Sequence, residues 1–393
     1  MSQLLNERWS ETKEALLEGL SGVRKSSMSV CLENTRKYLG ESATAGATSA
    51  GNIATLNRVI LPVIRRVMPT VIANEIIGVQ PMTGPVGQIH TLRVRYADTS
   101  ASDGIVAGDE ALSPFKIAAA YSGNGVDAAP KATNTAVLEG QPGKRMSIQI
   151  LKAPVEAKSR KLSARWTFEA AQDAQSQQGI DIEAEIMAAL AQEITAEIDQ
   201  EILTSLRSLA SVEQAYDQSL VSGTATFVGD EHAALAIQIN RVANLIAQRT
   251  RRGAANWAVV SNQALTILQS ATTSAFARTT EGTFEAPTNT KFVGTLNGAM
   301  RIYVDAYKTD TDDNNQVLVG YKGTSEADAA AFYCPYIPLM SSGVVLDPNT
   351  FEPVVGFLTR YGYVELSNTA SSLGNAADYL GKVSINSNTV SFK

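Results

Sequence analysis

Histidine is nearly absent from this chain: His90 and His232 are the only two in 393 residues. Two imidazoles without a partner motif cannot build a multi-histidine metal centre. A Ser–His–Asp arrangement also fails, because no GxSxG elbow is present to carry its serine. Cysteine is as scarce. Cys31 and Cys334 stand apart, with no CxxC and no Cys/His spacing, and read as reduced, inert thiols. Charge is thin as well, at 18% of residues with a formal net charge of −6. That balance excludes tight electrostatic capture of nucleic acid, which needs clustered Lys and Arg against phosphates, though it leaves room for a local basic patch. No stretch reaches the roughly 18 consecutive apolar residues of a membrane span, so no membrane partner is expected. Residues Met1–Trp9 lack the charged segment and apolar core of a signal peptide, and the chain reads as made in the cytoplasm.

Several passages imitate known motifs and fail on context. Asp310, Asp312 and Asn314 alternate as in a calcium loop. Asn315 stands where the sixth-position glycine belongs, however, and Tyr321 where the bidentate Glu belongs, so a solvated hairpin turn fits better. Residues Gly123–Ala128 spell GxGxxA but do not sit between a strand and a helix, and no GxxxxGK[ST] loop exists. Glu183, Glu185, Glu193, Glu197, Asp199 and Glu201 recur along one helical stretch without a histidine; they read as a solvated or subunit-facing side. Arg249, Arg251 and Arg252 form the densest basic cluster. Two readings stay open for it, a solvated surface or contact with an acidic neighbour or a DNA phosphate. The chain therefore offers no catalytic residues, no metal ligands and no cofactor site, and a non-enzymatic protein is expected.

What is present is architecture. Residues 2–39 have a helical pattern, with Leu5, Trp9, Leu16, Leu17 and Leu20 as one stripe and alternating charges that suggest an exposed helix. Residues 42–51 are a small-residue linker, expected to be extended. Apolar positions between 54 and 77 repeat at three and four, interrupted by Pro62 and Pro69, and predict two short helices or one with a kink. An ornate turn follows, with Pro81, Gly84, Pro85 and Gly87 but no chemistry on it. A strand is then predicted over Ile89–Tyr96. The polar stretch 97–147 reads as a long projecting loop whose returning strand begins at Met146.

Residues 165–207 carry the plainest helical signal. Ile182, Ile186, Leu190, Ile194, Ile198 and Ile202 recur every four residues, so the stripe creeps around the cylinder and should lie across several elements. A second helix is predicted over 232–250, with Leu235, Ile239, Val242 and Ile246 on one face. Further strands are predicted at 255–261, 299–305, 316–320, 332–339 and 354–364. A helix capped at Ser261 or Asn262 runs to Ser270, and a loop covers 271–290.

Five passages in order, spanning roughly residues 55–365, resemble the major capsid proteins of T-even-type contractile-tailed phages. They are Ile64–Pro69, Gly78–Gly87, Glu156–Ala164 with Glu169–Asp173 and Gly179–Asp181, Val319–Ser325 with Phe332–Leu339, and Asp347–Phe351 through Gly356–Gly362. The resemblance implies an α+β, Hong-Kong-97-type shell fold. Residues 1–41 would be an N-terminal helical segment and 42–82 an N-terminal arm. Residues 83–160 would be an extended loop with a reduced insertion, and 161–215 with 332–368 a peripheral domain built on the long helix. An axial domain over 216–331 and a C-terminal segment over 369–393 complete the division. It further implies removal of an N-terminal segment by a prohead protease after Leu/Ile-x-Glu, which Leu39-Gly40-Glu41 matches at the linker and Leu16-Leu17-Glu18 matches again.

The function so implied is self-assembly into hexamers and pentamers of an icosahedral head enclosing double-stranded DNA, with weak inner-surface DNA contact. Portal and vertex or minor capsid proteins are the other expected partners, and the virion is the expected location. An encapsulin-like nanocompartment holding an enzyme cargo is the alternative shell reading, distinguished by particle content. An enzyme using the Arg251 and Arg252 region is a third reading, distinguished by turnover without particles.

Overall fold

The computed structural model describes residues 9–10, 13–18, 20, 22–45, 71–100, 104–109, 111, 121–122, 135, 139, 143–178, 181–218, 228–250, 252–271, 276–278, 291–305, 307, 315–324, 328–347, 349–350, 352–366 and 376–386. Helix α1 (Gly22–Ala45) and the one-turn α2 (Ala73–Ile76) precede strands β1 (Gly78–Val79), β2 (Val86–Tyr96), β3 (Met146–Glu156) and β4 (Lys158–Arg165). Helices α3 (Phe168–Gln178) and α4 (Ile182–Leu209) lead to β5 (Val212–Tyr216), α5 (Val228–Thr250), β6 (Trp257–Val260) and α6 (Asn262–Ser270). Next come β7 (Phe276–Arg278), β8 (Lys291–Leu296), β9 (Met300–Val304) and β10 (Gln316–Gly320). The long β11 (Ala331–Leu346) and β12 (Pro353–Glu365), a 3-10 turn at Ala376–Tyr379 and β13 (Leu380–Ile385) close the fold.

Two sheets organise these elements. One has the order β1-β11-β12-β4, with β1 parallel to β11 and the other pairs antiparallel. The other has the order β5-β13-β10-β6-β9-β8-β7. Its central strands are apolar on both faces because each face has a cover. Trp257 and Val259 of β6 face a core shared with α4 and the four-stranded sheet, while Ala258 and Val260 face α5 and α6. The stripe predicted for α5 is fully buried at Leu235, Ile239, Val242 and Ile246. At about 1.5–3 kcal/mol per buried aliphatic side chain, that face holds α5 to the sheet. Helix α6 starts at the Ser261 cap, whose hydroxyl accepts the N–H of Ala264 at 3.2 Å.

The mixed α+β fold stands as expected, with corrections in detail. The helical signal over 165–207 resolves into α3 and α4, and Asp181 caps α4 by accepting the N–H of Glu183 at 3.1 Å. Of its four-residue stripe, Ile194, Ile198 and Ile202 are buried, whereas Ile182, Ile186 and Leu190 are half-buried; α4 lies against β4, β12 and β13 in turn. Where residues 2–39 are described, the helix α1 is not exposed all round. The buried side of α1 is Ser27, Met28, Cys31, Leu32, Asn34 and Thr35, set against β11; of the expected stripe, Leu16 and Leu17 are buried, Trp9 and Leu20 are half-buried, and Leu5 lies outside the described residues. That side escaped the periodicity because half of it is polar.

The helix also runs through Ala45, into the stretch expected to be extended; residues 46–51 lie outside the described residues. Most of the region of the two predicted helices, 51–70, lies outside them too. Strand β7 falls within the expected loop 271–290, β5 begins at 212, and β13 lies in the presumed C-terminal segment. The seven-stranded sheet therefore extends beyond 216–331 at both ends. Of the calcium-like run, Asn315 alone is described. It is buried and accepts the Ser261 hydroxyl at 2.6 Å, so it is no part of a solvated turn.

Candidate functional site

Among the described residues, no group of three or more His, Cys, Asp or Glu side chains could hold a metal ion, and no helix is long and apolar enough to cross a membrane. The functional geometry lies instead in the turn that launches the β2–β3 ribbon. The N–H of Gln80 donates to the Tyr333 carbonyl and that of Met82 to the Pro335 carbonyl, each at 3.0 Å, extending the β1–β11 pairing past Pro81. Pro81 sits between these two donors, where a missing N–H costs nothing. On the far side of the turn, Ala157 N–H donates to the Pro85 carbonyl at 2.9 Å.

The glycines matter less than their number suggests. Neither Gly84 nor Gly87 has a positive φ. A Cβ on Gly84 would meet nothing closer than the Val86 carbonyl at 3.9 Å, and one on Gly87 would meet the flexible Met82 thioether at 3.2 Å. Crowding occurs elsewhere, at Gly362 of β12, where a Cβ would stand 2.4 Å from Val155 Cγ1 and 3.1 Å from the Glu156 carbonyl. The ribbon base therefore approaches β12 so closely that only hydrogen fits. Met82, Ile89, Val155, Phe332 and Cys334 form the small core that seats it.

Helix α1 pins the same turn. Asn34, buried, donates both amide hydrogens, to the Met82 carbonyl at 2.6 Å and the Tyr336 carbonyl at 3.1 Å. Asn34→Ala leaves two inward-facing carbonyls without this donor. It is expected to lower stability by about 1–3 kcal/mol in urea unfolding; an unchanged midpoint would show that the amide is not an anchor. Glu75 of α2 is a second tie: Arg24 of α1, Arg301 at 3.0 Å and Tyr303 at 3.1 Å converge on its carboxylate.

From this base β2 and β3 pair without a bulge, from Val86 with Glu156 to Tyr96 with Met146. His90 lies exposed on β2. Where the loop over 97–147 is described, it folds back on the ribbon's end. Asp109 and Val94 carbonyls accept the N–H groups of Tyr96 and Ala111 at 2.9 and 2.8 Å, and the Tyr121 hydroxyl donates to the Arg145 carbonyl at 2.6 Å. The GxGxxA run, Gly123–Ala128, lies outside the described residues.

Two members of the arginine cluster have acidic partners within the chain, Arg249 half-buried and Arg252 exposed. Arg249 pairs with Glu213 at 2.7 Å and Arg252 with Asp328, while Arg251 lies outside the described residues. Neither placement puts a bare cation where DNA alone could satisfy it. Leu39, Gly40 and Glu41 have helical backbone in the last turns of α1. The acidic run on α4 is not uniformly solvated, a correction to its sequence reading. Arg160 of β4 binds Glu197 at 2.6 Å and also Glu201, Glu201 accepts the Tyr361 hydroxyl as well, and Asp199 is fully buried.

Comparison with known proteins adds an independent finding. A family profile described as "Major capsid protein Gp23" matches residues 53–388. The major capsid protein of Vibrio phage KVP40 is 29% identical to this chain, the alignment covering 85% of this chain and 81% of that protein. The major capsid protein of Salmonella phage ViI is 30% identical, with 83% and 80% covered. Among solved structures, one of Mycobacterium phage Bobi aligns at 12% identity and a TM-score of 0.45, covering 80% of this chain and 90% of that one.

Proposed function

The chain belongs to the Gp23 major capsid protein family, and from that premise we propose that it assembles through hexamers and pentamers into an icosahedral phage head around double-stranded DNA. The observation that carries this reading is the family match over residues 53–388, which spans both sheets and the ribbon. In this reading the ribbon at 83–160 reaches over a neighbouring subunit. The four-stranded sheet with α4 forms the peripheral domain, and the seven-stranded sheet, from 212 to 320 with 380–385, forms the axial one. Pro81 and Pro85, with the carbonyls that hold Met82 and Ala157, set the angle at which the ribbon leaves. Residues 42–82 act as the arm.

Many modest contacts, each repeated around a capsomer, give a stable shell through effective concentration rather than single-site affinity. The acidic balance suits a lining that touches packed DNA weakly and releases it. Arg249, Arg251 and Arg252 remain a proposed contact with a neighbour or with DNA, for which Arg249 and Arg252 would exchange their internal carboxylate partners. Portal and vertex or minor capsid proteins complete the proposed particle. Cleavage after Glu41 is proposed as well, and requires the last turns of α1 to unwind before a protease can take Leu39–Glu41 as an extended strand.

Expression of the full chain followed by electron microscopy tests the assembly. Closed particles of uniform diameter are expected. Monomers alone, at every protein and salt concentration, would overturn the reading.

A further inference from the structure

Helix α1 belongs to the core of the chain. Met28, Cys31 and Leu32 are each no more than 1% exposed and share the principal core with Ile72, Ile76 and Tyr333. Polar ties surround that apolar contact. The Cys31 thiol donates to the Pro335 carbonyl at 3.8 Å, the Asn34 amide reaches the Met82 and Tyr336 carbonyls, and Arg24 pairs with Glu75. Residues ahead of the helix are seated too. The Leu20 N–H donates to the Leu17 carbonyl at 3.2 Å, and Leu16 and Leu17 enter the same core. The Trp9 indole N–H donates to the Glu33 carboxylate at 3.4 Å, and the Lys13 ammonium stands 3.5 Å from it, so this stretch lies back along α1.

All of these anchors lie between residues 9 and 35. Leu39, Gly40 and Glu41, the expected cleavage sequence, come after the last of them. A cut after Glu41 therefore severs the backbone beyond every one of these contacts. It leaves an apolar helix face in an apolar groove, the helix-in-groove mode of peptide recognition. The cut removes only the tether, which supplies an effective concentration on the order of millimolar. The burial that drives association is kept. Departure of the helix, by contrast, would open the core at Tyr333 and strip the Met82 and Tyr336 carbonyls of their Asn34 donor.

We propose that residues 9–35 are a lasting part of the folded subunit, so that a cut after Glu41 produces a two-piece subunit whose N-terminal piece stays seated against β11 and the ribbon turn. The ligand of the groove is a helical peptide of the chain's own sequence. Its seat lies within one chain, so the inference goes beyond the shell reading and needs neither particles nor a neighbour. In a head, the piece holding Asn34 would stay in the shell, one per subunit, and go on fixing the turn from which the ribbon leaves.

The test uses the full chain with a site for a sequence-specific protease inserted after Gly46. The protein is cut and run on gel filtration without denaturant. Both pieces are expected to co-elute in equal amounts. Cys31 gives a second readout, because it is fully buried and sits on the N-terminal piece. Its alkylation by N-ethylmaleimide, located by peptide mass, should be as slow in the cut protein as in the uncut one, and roughly a hundredfold or more slower than in urea. Met28→Asp with Leu32→Asp should retain roughly tenfold less of the piece after cutting; if that variant does not fold, the two wild-type readouts decide. Loss of the piece from the wild-type protein, whether the remainder stays folded or aggregates, would overturn the seat. So would rapid Cys31 alkylation in the uncut native chain, an outcome that needs no cleavage. Neither readout depends on particles, so this inference can fail while the shell reading holds.

Discussion

Gly320→Ala is expected to destabilise the protein by about 3 kcal/mol or more, at the upper end of the cost of overpacking a buried site. Gly320 ends β10, a central strand of the seven-stranded sheet, opposite Trp257 of β6 and Leu380 of β13. The Trp257 ring lies across it. A Cβ there would stand 2.1 Å from Cζ2, 2.6 Å from Cε2 and 2.7 Å from Cη2. Those are atoms of a rigid indole, and Trp257 is buried in the core that joins the two sheets. The ring cannot swing aside without opening that core, and the paired strand cannot retreat without losing ladder hydrogen bonds. Urea unfolding should show the loss. A double-mutant cycle isolates its cause, because in a Trp257→Leu background the added methyl should cost under about 1 kcal/mol. Equal cost in both backgrounds would locate the strain elsewhere.

Gly320 also shows where sequence reading reaches its limit. The run Gln316–Gly320 was legible as a strand because Val317, Leu318 and Val319 form a short apolar block. That its last residue must lack a side chain depends on an indole sixty-three positions away. Helix α5 was legible over all but its first turn, Val228–Glu231, since its burial is aliphatic and periodic. Helix α1 was legible as a helix but not as a packed one. Asn34 and Thr35 are buried by hydrogen bonds to distant carbonyls and to its own turn, and such bonds leave no mark on hydrophobic period. Strands β5 and β13 escaped because their pattern is mixed: Val212 is exposed at the sheet edge, while Leu380 and Val383 are buried by neighbours far apart in sequence. The turn at Pro81–Pro85 was legible as a feature. Its mechanism was not, since the constraint comes from the carbonyls of β11 and from Asn34 rather than from glycine geometry.

The acidic helix face carries the other large effect. Asp199→Asn is expected to stabilise the protein at pH 8 by about 2–4 kcal/mol, and much less at pH 4. Asp199 is buried on α4. One oxygen accepts the Ile72 N–H at 2.9 Å, and the other has no hydrogen-bond partner among the described residues. Burial pushes its carboxyl up to about 7 from 3.8, the Asp305 carboxylate adding to the rise and the Ile72 hydrogen bond opposing it. Asp305 is fully buried too, but Arg207 at 2.7 Å and Gln200 at 2.8 Å satisfy it.

The sign follows from proton binding. A carboxyl whose pKa is higher folded than unfolded holds its proton more tightly in the native state. Its contribution is then fully favourable below the unfolded value near 3.8, and is lost as pH rises through about 7. Asparagine keeps an oxygen for the Ile72 N–H, replaces the unpartnered oxygen with an uncharged amide, and carries no titration. Wild type and variant should therefore coincide near pH 4 and diverge steadily to pH 8 when unfolded in urea. A constant difference across that range would show that the effect is not ionisation, and a variant less stable at pH 8 would mean that a cation reaches Asp199 in the folded protein. The residue lies on the helix that packs against both sheets and holds Ile72, shortly before the Pro81–Pro85 turn. Its charge therefore strains the packing of that segment against α4 as pH rises through about 7.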